Sequence, residues 1–249
     1  MSMSHVMRVP AVVAIALLAV ACVQIPDDPV EHEAFIETND PLEPANRTVF
    51  DFNLAILDHA LSPVALAYRD HVPGPLRDGV GNVLDNLQMP VTILNSGLQG
   101  DFDNMAEATA SFFINSTAGI GGLFDIPANS GREPRREDFG QTLAVWGFKE
   151  GSYLVLPFAG PSTARDAVGL GVDTLTDPLT WLLTPAWSYM RTGADVIDST
   201  ARELHRIEEA RLGAIDFYAT TRTLYRQARA RAIANGVADP FGLDEYFEE

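Results

Sequence analysis

Few side chains that usually bind metals stand at a spacing that would bring them together. His59, His71 and His205 lack a metal-ligand pattern such as His-Glu-x-x-His, which places two imidazoles on one face of a helix. Asp101 and Asp103 match only the first two ligand positions of a calcium loop, and helix capping explains these acids better. The single cysteine excludes a cysteine-based zinc cage. We therefore expect no bound metal.

Catalytic groups are equally sparse. Ser162, Asp166 and His205 are the residue types of a hydrolytic triad, but a chain of 249 residues contains such a set by chance. The sequence has no Gly-x-Ser-x-Gly elbow and neither the Walker nor the dinucleotide glycine pattern. These observations predict a protein that is not an enzyme and that uses no cofactor.

One residue does indicate a specific chemistry, and it is Cys22. An apolar run from Val9 to Ala21 precedes it, which is the length of a secretory signal and shorter than the roughly 17 residues a spanning helix needs. The sequence around Cys22 resembles the lipobox of bacterial lipoproteins, although Ala19 stands where leucine is commonest. In that motif the signal is cleaved before the cysteine and the thiol is acylated. We predict a signal peptide at 1–21 and lipidation of Cys22; an ordinary secretory signal is the alternative.

The charge balance limits the partners. Seventeen basic against 34 acidic residues give a net charge of -17, which argues against nucleic acid because phosphate binding needs clustered cations. The same excess argues against a purely electrostatic anchor on anionic lipid. Yet 47% of the residues are hydrophobic, too many for a disordered acidic chain. The composition therefore predicts a folded body with an acidic surface and a substantial apolar content.

Element signals predict a predominantly helical body at 39–236, between an acidic, proline-containing tether at 22–38 and an acidic tail at 237–249. Asp40 is a candidate N-cap, Ser162 another, and the long helical pattern near the end runs from 185 to 234. Prolines are expected to divide the stretch after the first helix into short helices, and no segment after the signal region is expected to reach transmembrane length. The breaking residues are Pro63, Pro73, Pro75 and Pro90.

Only residues 152–156 have the pattern of a strand, and one strand cannot form a sheet. The fold class expected from the residues is therefore all-α, with little or no sheet.

An apolar, glycine-rich segment follows the aromatic pair Phe112 and Phe113. Adjacent glycines are poor helix formers and permit unusual backbone angles, so the segment could be a hinge that carries apolar side chains. It could equally be a helix cap followed by core residues. The segment's candidate residues are Gly119, Gly121, Gly122, Leu123, Phe124 and Ile126.

Three stretches together resemble the MlaA (VacJ) family of outer-membrane lipoproteins. They are residues 39–47, which read Asn-Asp-Pro-Leu-Glu-Pro-Ala-Asn-Arg, residues 112–125, and residues 137–147 with their continuation through 151–166. The likeness covers roughly residues 39–236.

The resemblance implies a ring-like single domain of short amphipathic helices in the inner leaflet of the outer membrane, with a central amphipathic passage. Phospholipid misplaced in the outer leaflet would pass through it to a soluble periplasmic carrier, in association with a porin trimer. Phe112, Phe113 and the residues from Gly119 to Ile126 would line or gate the lipid path. Arg47, Arg69 and Arg165 are candidate head-group contacts, and structural ion pairs are the alternative for each.

Two other functions remain open at this point. A passive lipoprotein that scaffolds a porin or envelope complex would share the anchor and the helical body. A phospholipase acting on surface lipids would need a nucleophile that the sequence does not reveal.

Overall fold

The structure, a computed structural model, describes residues 39–128 and 133–235. Cys22, the signal peptide at 1–21, the tether at 22–38 and the tail at 237–249 lie outside the described residues, as does Gly236.

Helices make up most of the described chain, as expected. They are α1 (Glu43–Ile56), α2 (Ser62–His71), α3 (Gly74–Gln99), α4 (Phe102–Thr117), α5 (Phe139–Val145), α6 (Ala164–Thr176), α7 (Pro178–Leu182), α8 (Pro185–Gly213) and α9 (Phe217–Ile233). A π-helical turn, Leu57–Leu61, joins α1 to α2. Helix α3, with 26 residues, is longer than the short helices predicted there, whereas α8, with 29, is shorter than the continuous pattern predicted from 185 to 234.

Two of the four prolines do not divide the chain as predicted, whereas Pro73 and Pro75 do mark the break between α2 and α3. Pro63 comes just after the π-helical turn, whose altered hydrogen-bond pattern accommodates the missing N–H, and Glu43–His71 is one continuous helical segment. Among the described residues this segment is long and apolar enough to cross a membrane, by length and composition alone, which corrects the prediction that no segment of the body reaches that length. Pro90 lies inside α3, which continues past it because α4, α5 and α8 all pack on this helix.

Two small strands form an antiparallel hairpin, which corrects the prediction that no sheet forms. Strand β1 (Tyr153–Leu156) was expected, but it pairs with β2 (Gly160–Thr163), with Tyr153 opposite Thr163. The sequence of β2 is Gly-Pro-Ser-Thr, which lacks the β-branched and aromatic pattern of a strand and therefore gave no signal.

Asparagines of α1 cover the outer edge of β1. Asn46 accepts from Val155 N at 2.9 Å and donates to Tyr153 O at 3.0 Å, while Asn53 donates to Leu156 O at 2.9 Å. The side chains thus take the place of a third strand and satisfy backbone groups that an edge would leave unpaired. This explains how so short a hairpin persists.

Three boundaries differ from the sequence interpretation. Asp40 does not cap α1; its side chain is buried and accepts from Asn46, Tyr218 and Arg222. Thr163, not Ser162, caps α6, since its Oγ accepts from Asp166 N. The final helical region is interrupted at 214–216, where α8 ends and Asp216 caps α9.

The apolar core lies where α1, the hairpin and α9 meet. Phe50, Tyr153, Val155 and Tyr218 are its buried members, and the Phe50 and Tyr218 rings meet edge to face at 5.4 Å. This cluster is small for a chain of this size, and the packing between α3 and α4 lies apart from it.

Candidate functional site

The described residues bury more polar side chains than apolar ones. Seventeen buried side chains are polar or charged and ten are hydrophobic, whereas many large apolar side chains lie exposed. In a water-soluble domain the large apolar residues are the ones most often inside. The arrangement therefore favours a protein whose exterior contacts something other than water.

A continuous part of this exterior is formed by the end of α4 and the loop after it, which we call the α4 loop surface. Phe113 is 61% exposed and Phe124 55% exposed, so neither is a core residue. The remaining large apolar side chains of the surface are Ile114, Ile120, Leu123 and Ile126. The structure thus brings together most of the residues that the sequence predicted for a lipid path, while Phe112 is half-buried and stacks edge to face on Phe113 at 5.6 Å.

Hydrogen bonds hold the loop against the end of α4. Gly122 N donates to Asn115 O at 2.8 Å, and Phe124 N donates to Gly119 O at 3.0 Å. The buried Asn115 side chain accepts from Ile126 N at 3.1 Å and donates to Asp125 at 3.1 Å. The apolar side chains are therefore presented outward by a fixed backbone.

Two glycines are required by this backbone for different reasons. Gly121 and Gly122 both have positive φ, +71° and +95°. A Cβ at Gly121 would meet nothing within 4 Å, whereas one at Gly122 would lie 2.7 Å from Asn86 Cβ. Gly122 thus allows the loop to approach α3, and Gly121 only turns the chain.

The loop packs on the first half of α3. Leu123 Cδ1 lies 2.7 Å from where a Cβ of Gly79 would be, so the leucine occupies the space left by that glycine. Asn86 Nδ2 donates to Ser116 Oγ at 3.0 Å, and Asn82 Nδ2 approaches Leu123 O at 3.4 Å. Since α3 is contacted at these points, it is the element that positions the loop.

A groove of about 320 Å³ adjoins this surface, a volume at the lower end for small-molecule sites. Ala106, Ala110 and Ile114 recur every four residues and therefore lie in one row along α4, with Glu107 and Ser111 in the next. Pro127, from the loop, closes the groove on the other side. The small alanine side chains leave the space, and Ile114 joins the groove to the α4 loop surface.

Amide and hydroxyl side chains fill the space between the end of α3, the start of α4 and α5; we call these the amide layer. Asn104 Nδ2 donates to Ser96 Oγ at 2.8 Å, and Thr142 Oγ1 donates to Asn95 Oδ1 at 2.9 Å. Gln99 Nε2 donates to Thr142 Oγ1 at 3.2 Å. These amide and hydroxyl groups thus form hydrogen bonds with one another, as buried polar groups usually do.

Two carboxyl groups in the amide layer are held mainly by neutral donors. Burial raises the pKa of Glu137, which accepts from Gln99 Nε2 at 2.9 Å. Burial likewise raises the pKa of Asp173, which accepts from Asn95 Nδ2 at 2.9 Å and from Phe139 N at 2.9 Å. Hydrogen bonds from amides do not fully offset the loss of water around these charges.

A second set of acids meets arginines of α9, which we call the arginine network. Arg229 contacts Asp138 at 2.5 Å and Asp166 at 3.0 Å, and Arg226 contacts Glu150 at 2.9 Å. Arg222 contacts Asp40 at 2.7 Å and Glu43 at 3.3 Å. The network's acids come from four distant segments of the chain, which no local sequence pattern connects.

The predicted head-group arginines are placed differently from one another. Arg47 contacts Asp216 at 2.6 Å and its guanidinium lies 4.4 Å from the Tyr218 ring centroid, which fixes it in the fold. Arg165 has a side chain only 7% exposed and contacts Asp166 at 3.0 Å. Arg69 is exposed and contacts its neighbour Asp70. None of the three belongs to the α4 loop surface or lines the groove.

The described part of the chain offers no assembled catalytic or metal site. No group of three or more potential metal ligands occurs in it. The residues of the conceivable triad each have other partners: Ser162 Oγ donates to Thr163 O, Asp166 is engaged by Arg229, and His205 contacts Glu209 at 3.1 Å on an exposed part of α8.

Glu107 and the groove were missed by the sequence interpretation. Their signal was present as small residues four apart on α4, Ala106 and Ala110, beside the acid. Such a row is equally typical of close helix packing, so only the structure shows that no other described helix covers it.

Comparison with known proteins identifies the family. The model of the MlaA lipoprotein family matches residues 38–232. An intermembrane phospholipid transport system lipoprotein MlaA from Escherichia coli (strain K12) is 40% identical over 174 residues, 65% of this chain and 68% of its own. A protein of the same name from Haemophilus influenzae is 33% identical over 197 residues, 77% of this chain and 78% of its own.

The fold has a solved counterpart. A structure reported as the structural basis for maintenance of bacterial outer membrane lipid asymmetry is similar with a TM-score of 0.69 at 36% identity, over 78% of this chain and 98% of the other.

Proposed function

Since the chain belongs to the MlaA lipoprotein family, we propose that it removes misplaced phospholipid from the outer leaflet of the outer membrane and passes it to a soluble periplasmic carrier. This activity maintains the lipid asymmetry of the membrane. The observation that carries the proposal is the α4 loop surface, an exposed apolar surface that joins a groove lined in part by polar side chains.

Phospholipid transfer needs both of these properties. Acyl chains require an apolar wall, while a charged head group is costly to place in hydrocarbon and requires polar partners. The α4 loop surface supplies the first through Phe113, Leu123 and Phe124, and the groove beside it supplies polar groups through Glu107 and Ser111. Exposed apolar side chains of this kind stabilise a protein in the acyl region of a leaflet.

The same proposal includes the surroundings of the protein. Acyl chains on Cys22 anchor it to the periplasmic leaflet of the outer membrane, a porin trimer holds it there, and the helices surround a central amphipathic passage. Transfer makes and breaks no covalent bond, so the protein acts without catalytic residues. Cys22→Ser tests the anchor: the variant precursor should remain unlipidated and mislocalised, and a wild-type protein with a free Cys22 thiol would contradict it.

The amount of phospholipid in the outer leaflet of cells tests the proposed function. Cells that lack the protein should accumulate phospholipid accessible to an external lipid-modifying enzyme, and the wild-type gene should reverse this. A passive scaffold predicts instead that purified protein carries no phospholipid and transfers none between vesicles and carrier. A phospholipase predicts lysophospholipid and free fatty acid, so lipid products measured in the same assay separate the three functions.

The gating role of the loop has a sharper test. The double substitution Gly79→Cys with Leu123→Cys introduces a disulfide that would fix the loop on α3, because Leu123 Cγ lies 3.5 Å from the position of a Cβ at residue 79. Transfer should stop in the oxidised protein and return on reduction, while the protein stays folded and membrane-bound. Undiminished transfer in the oxidised protein would exclude a moving loop.

Substitution of Gly121 distinguishes gating from packing. Gly121→Val introduces a side chain at positive φ where a Cβ meets no neighbour within 4 Å. A gating loop should lose transfer more than thermal stability. Transfer that falls only in proportion to the folded fraction would leave the glycine a structural residue.

A further inference from the structure

The groove on α4 contains a charged group that has no partner among the residues that the structure describes. Glu107 is half-buried and is the one ionisable side chain that lines the groove. It has no hydrogen bond or ion pair with any residue that the structure describes. A partly desolvated carboxylate without a partner is unfavourable, and an ammonium or guanidinium group would stabilise it.

The nearby cations are already engaged. Among the described residues that follow Pro127, the arginines Arg135 and Arg136 form ion pairs with Asp101 and Asp85. The other lining residues are uncharged. No described residue thus supplies a cation to Glu107, and a molecule that occupies the groove could supply one.

The shape of the groove indicates an amphiphile. Glu107 and Ile114 are seven residues apart on α4, which separates them by about 10 Å along the helix axis. Beyond Ile114 the groove meets the α4 loop surface, where Phe113 and Phe124 are exposed. A molecule with a cationic end at Glu107 could thus extend its apolar part along the alanines toward the loop.

We propose that the groove binds one phospholipid with an ammonium head group, phosphatidylethanolamine, in preference to anionic phosphatidylglycerol, and that Glu107 determines this preference. The inference rests on the proposed function and adds the substrate class. The ethanolamine nitrogen pairs with the Glu107 carboxylate and an acyl chain lies over Ala106 and Ala110. Phosphatidylglycerol has no cation to offset the repulsion between its phosphate and the same carboxylate.

The test measures which lipid the full-length protein retains. Protein equilibrated with vesicles of equimolar phosphatidylethanolamine and phosphatidylglycerol is re-extracted in mild detergent, and its bound lipids are counted by mass spectrometry. We expect phosphatidylethanolamine to be enriched roughly fivefold, the weight of one charge interaction near a membrane surface. Glu107→Gln should lower the ratio to about one, and Glu107→Lys should reverse the preference.

A matched control lies one turn earlier on the same helix. Asp103→Asn removes the same charge from an exposed position outside the groove and should leave the fivefold ratio unchanged. Because Glu107 has no partner to lose, Glu107→Gln should melt within about 2 °C of the wild type. Ala110→Phe fills the groove at an exposed position, and it should reduce retention of both lipids while the far-UV spectrum is unchanged.

The outcomes separate this inference from the proposed function. Equal retention of both lipids by the wild type, a ratio that survives Glu107→Gln, or full retention by Ala110→Phe would overturn the inference while leaving lipid transfer intact. A wild-type protein that retains neither lipid and transfers none would overturn the proposed function itself.

Discussion

The arginine network and the amide layer both contain buried acids, but the pKa values of these acids are shifted in opposite directions. Burial alone would raise the pKa of Asp138 and of Asp166, yet contacts with Arg229, and for Asp166 also a hydrogen bond from Tyr225, hold both below the ordinary value. In the amide layer the pKa values of Glu137 and Asp173 are instead raised, because burial outweighs hydrogen bonds from neutral groups.

The difference follows from what surrounds each region. The arginine network joins segments far apart in sequence around the aromatic core. Its contacts are hydrogen bonds between full charges, which are strong and directional. The amide layer lies under helices whose outer faces are apolar. Neutral hydrogen-bonded groups suit that position, because full charges beneath a lipid-facing surface would be more costly to desolvate.

The strongest test of this contrast removes the central cation of the network. Arg229→Leu leaves Asp138 and Asp166 buried without their shared partner, and we expect it to lower the free energy of unfolding by about 3–5 kcal/mol in denaturant titrations. Arg231→Leu, at an exposed position two residues along α9, is the control and should change stability by less than about 0.5 kcal/mol. Equal losses of unfolding free energy for the two substitutions would show that Arg229 stabilises the fold no more than an exposed arginine does.

A comparable test of the amide layer is Asn95→Leu. The side chain of Asn95 is fully buried and bonded to Asp173 and Thr142, so we expect a loss of about 2–3 kcal/mol from unsatisfied partners. Asn82→Leu on the same helix removes only one long contact to Leu123 and should cost far less by the same titration. An Asn95→Leu variant at least as stable as the wild type would show that the amide layer does not depend on this side chain.

Substitutions at two loop glycines test whether the loop after α4 packs on α3 as described. Gly122→Ala places a Cβ 2.7 Å from that of Asn86, and we expect a loss of about 2 kcal/mol in thermal unfolding, from the clash together with backbone strain. Gly121→Ala incurs the strain without the clash and should cost about 1 kcal/mol. The reverse order would mean that the loop is not seated on α3 as described.

The acids predict opposite responses to pH. Stabilisation from Asp138 and Asp166, whose folded pKa values are lowered, is complete above their unfolded pKa and is lost as pH falls through the folded value. Glu137, whose folded pKa is raised, opposes folding once ionised, so its contribution becomes more favourable as pH falls. Glu137→Gln should therefore stabilise the protein by about 1 kcal/mol at pH 7 and by less near pH 4, measured by melting at both. A gain that is the same at both pH values would contradict the raised pKa.

The smallest expected change in stability comes from the exterior. Phe113→Ser removes an exposed ring and should alter the free energy of unfolding in detergent by less than about 0.5 kcal/mol. It should nevertheless reduce quenching by brominated acyl chains of a fluorophore placed on the loop. Strong destabilisation would instead identify Phe113 as a packing residue.

The helical class and most helix positions were predictable because caps, such as Asp101 on α4 and Asp138 on α5, act within a few residues of the chain. The residues of the α4 loop surface were also predictable, because they lie close together in the sequence. Strand β2 was not predictable, because its pairing with β1, rather than its own composition, makes it a strand.

Long-range contacts account for the other misses. Pro90 indicated a break that the neighbours of α3 override. Asp40 had the pattern of a cap, but its role is set by Tyr218 and Arg222, which lie about 180 residues later and which no local pattern could connect to it.

That distance determines when the fold can be completed. The Asp40 carboxylate and the aromatic core beside it need α9, which is the last helix described and is synthesised after all the others. The predicted signal peptide implies that the chain folds after export, so we expect the first helix to remain incompletely buried until α9 packs on it. Contacts of such separation are slow to form, and we therefore expect the packing of α9 on the first helix to be a late step of folding.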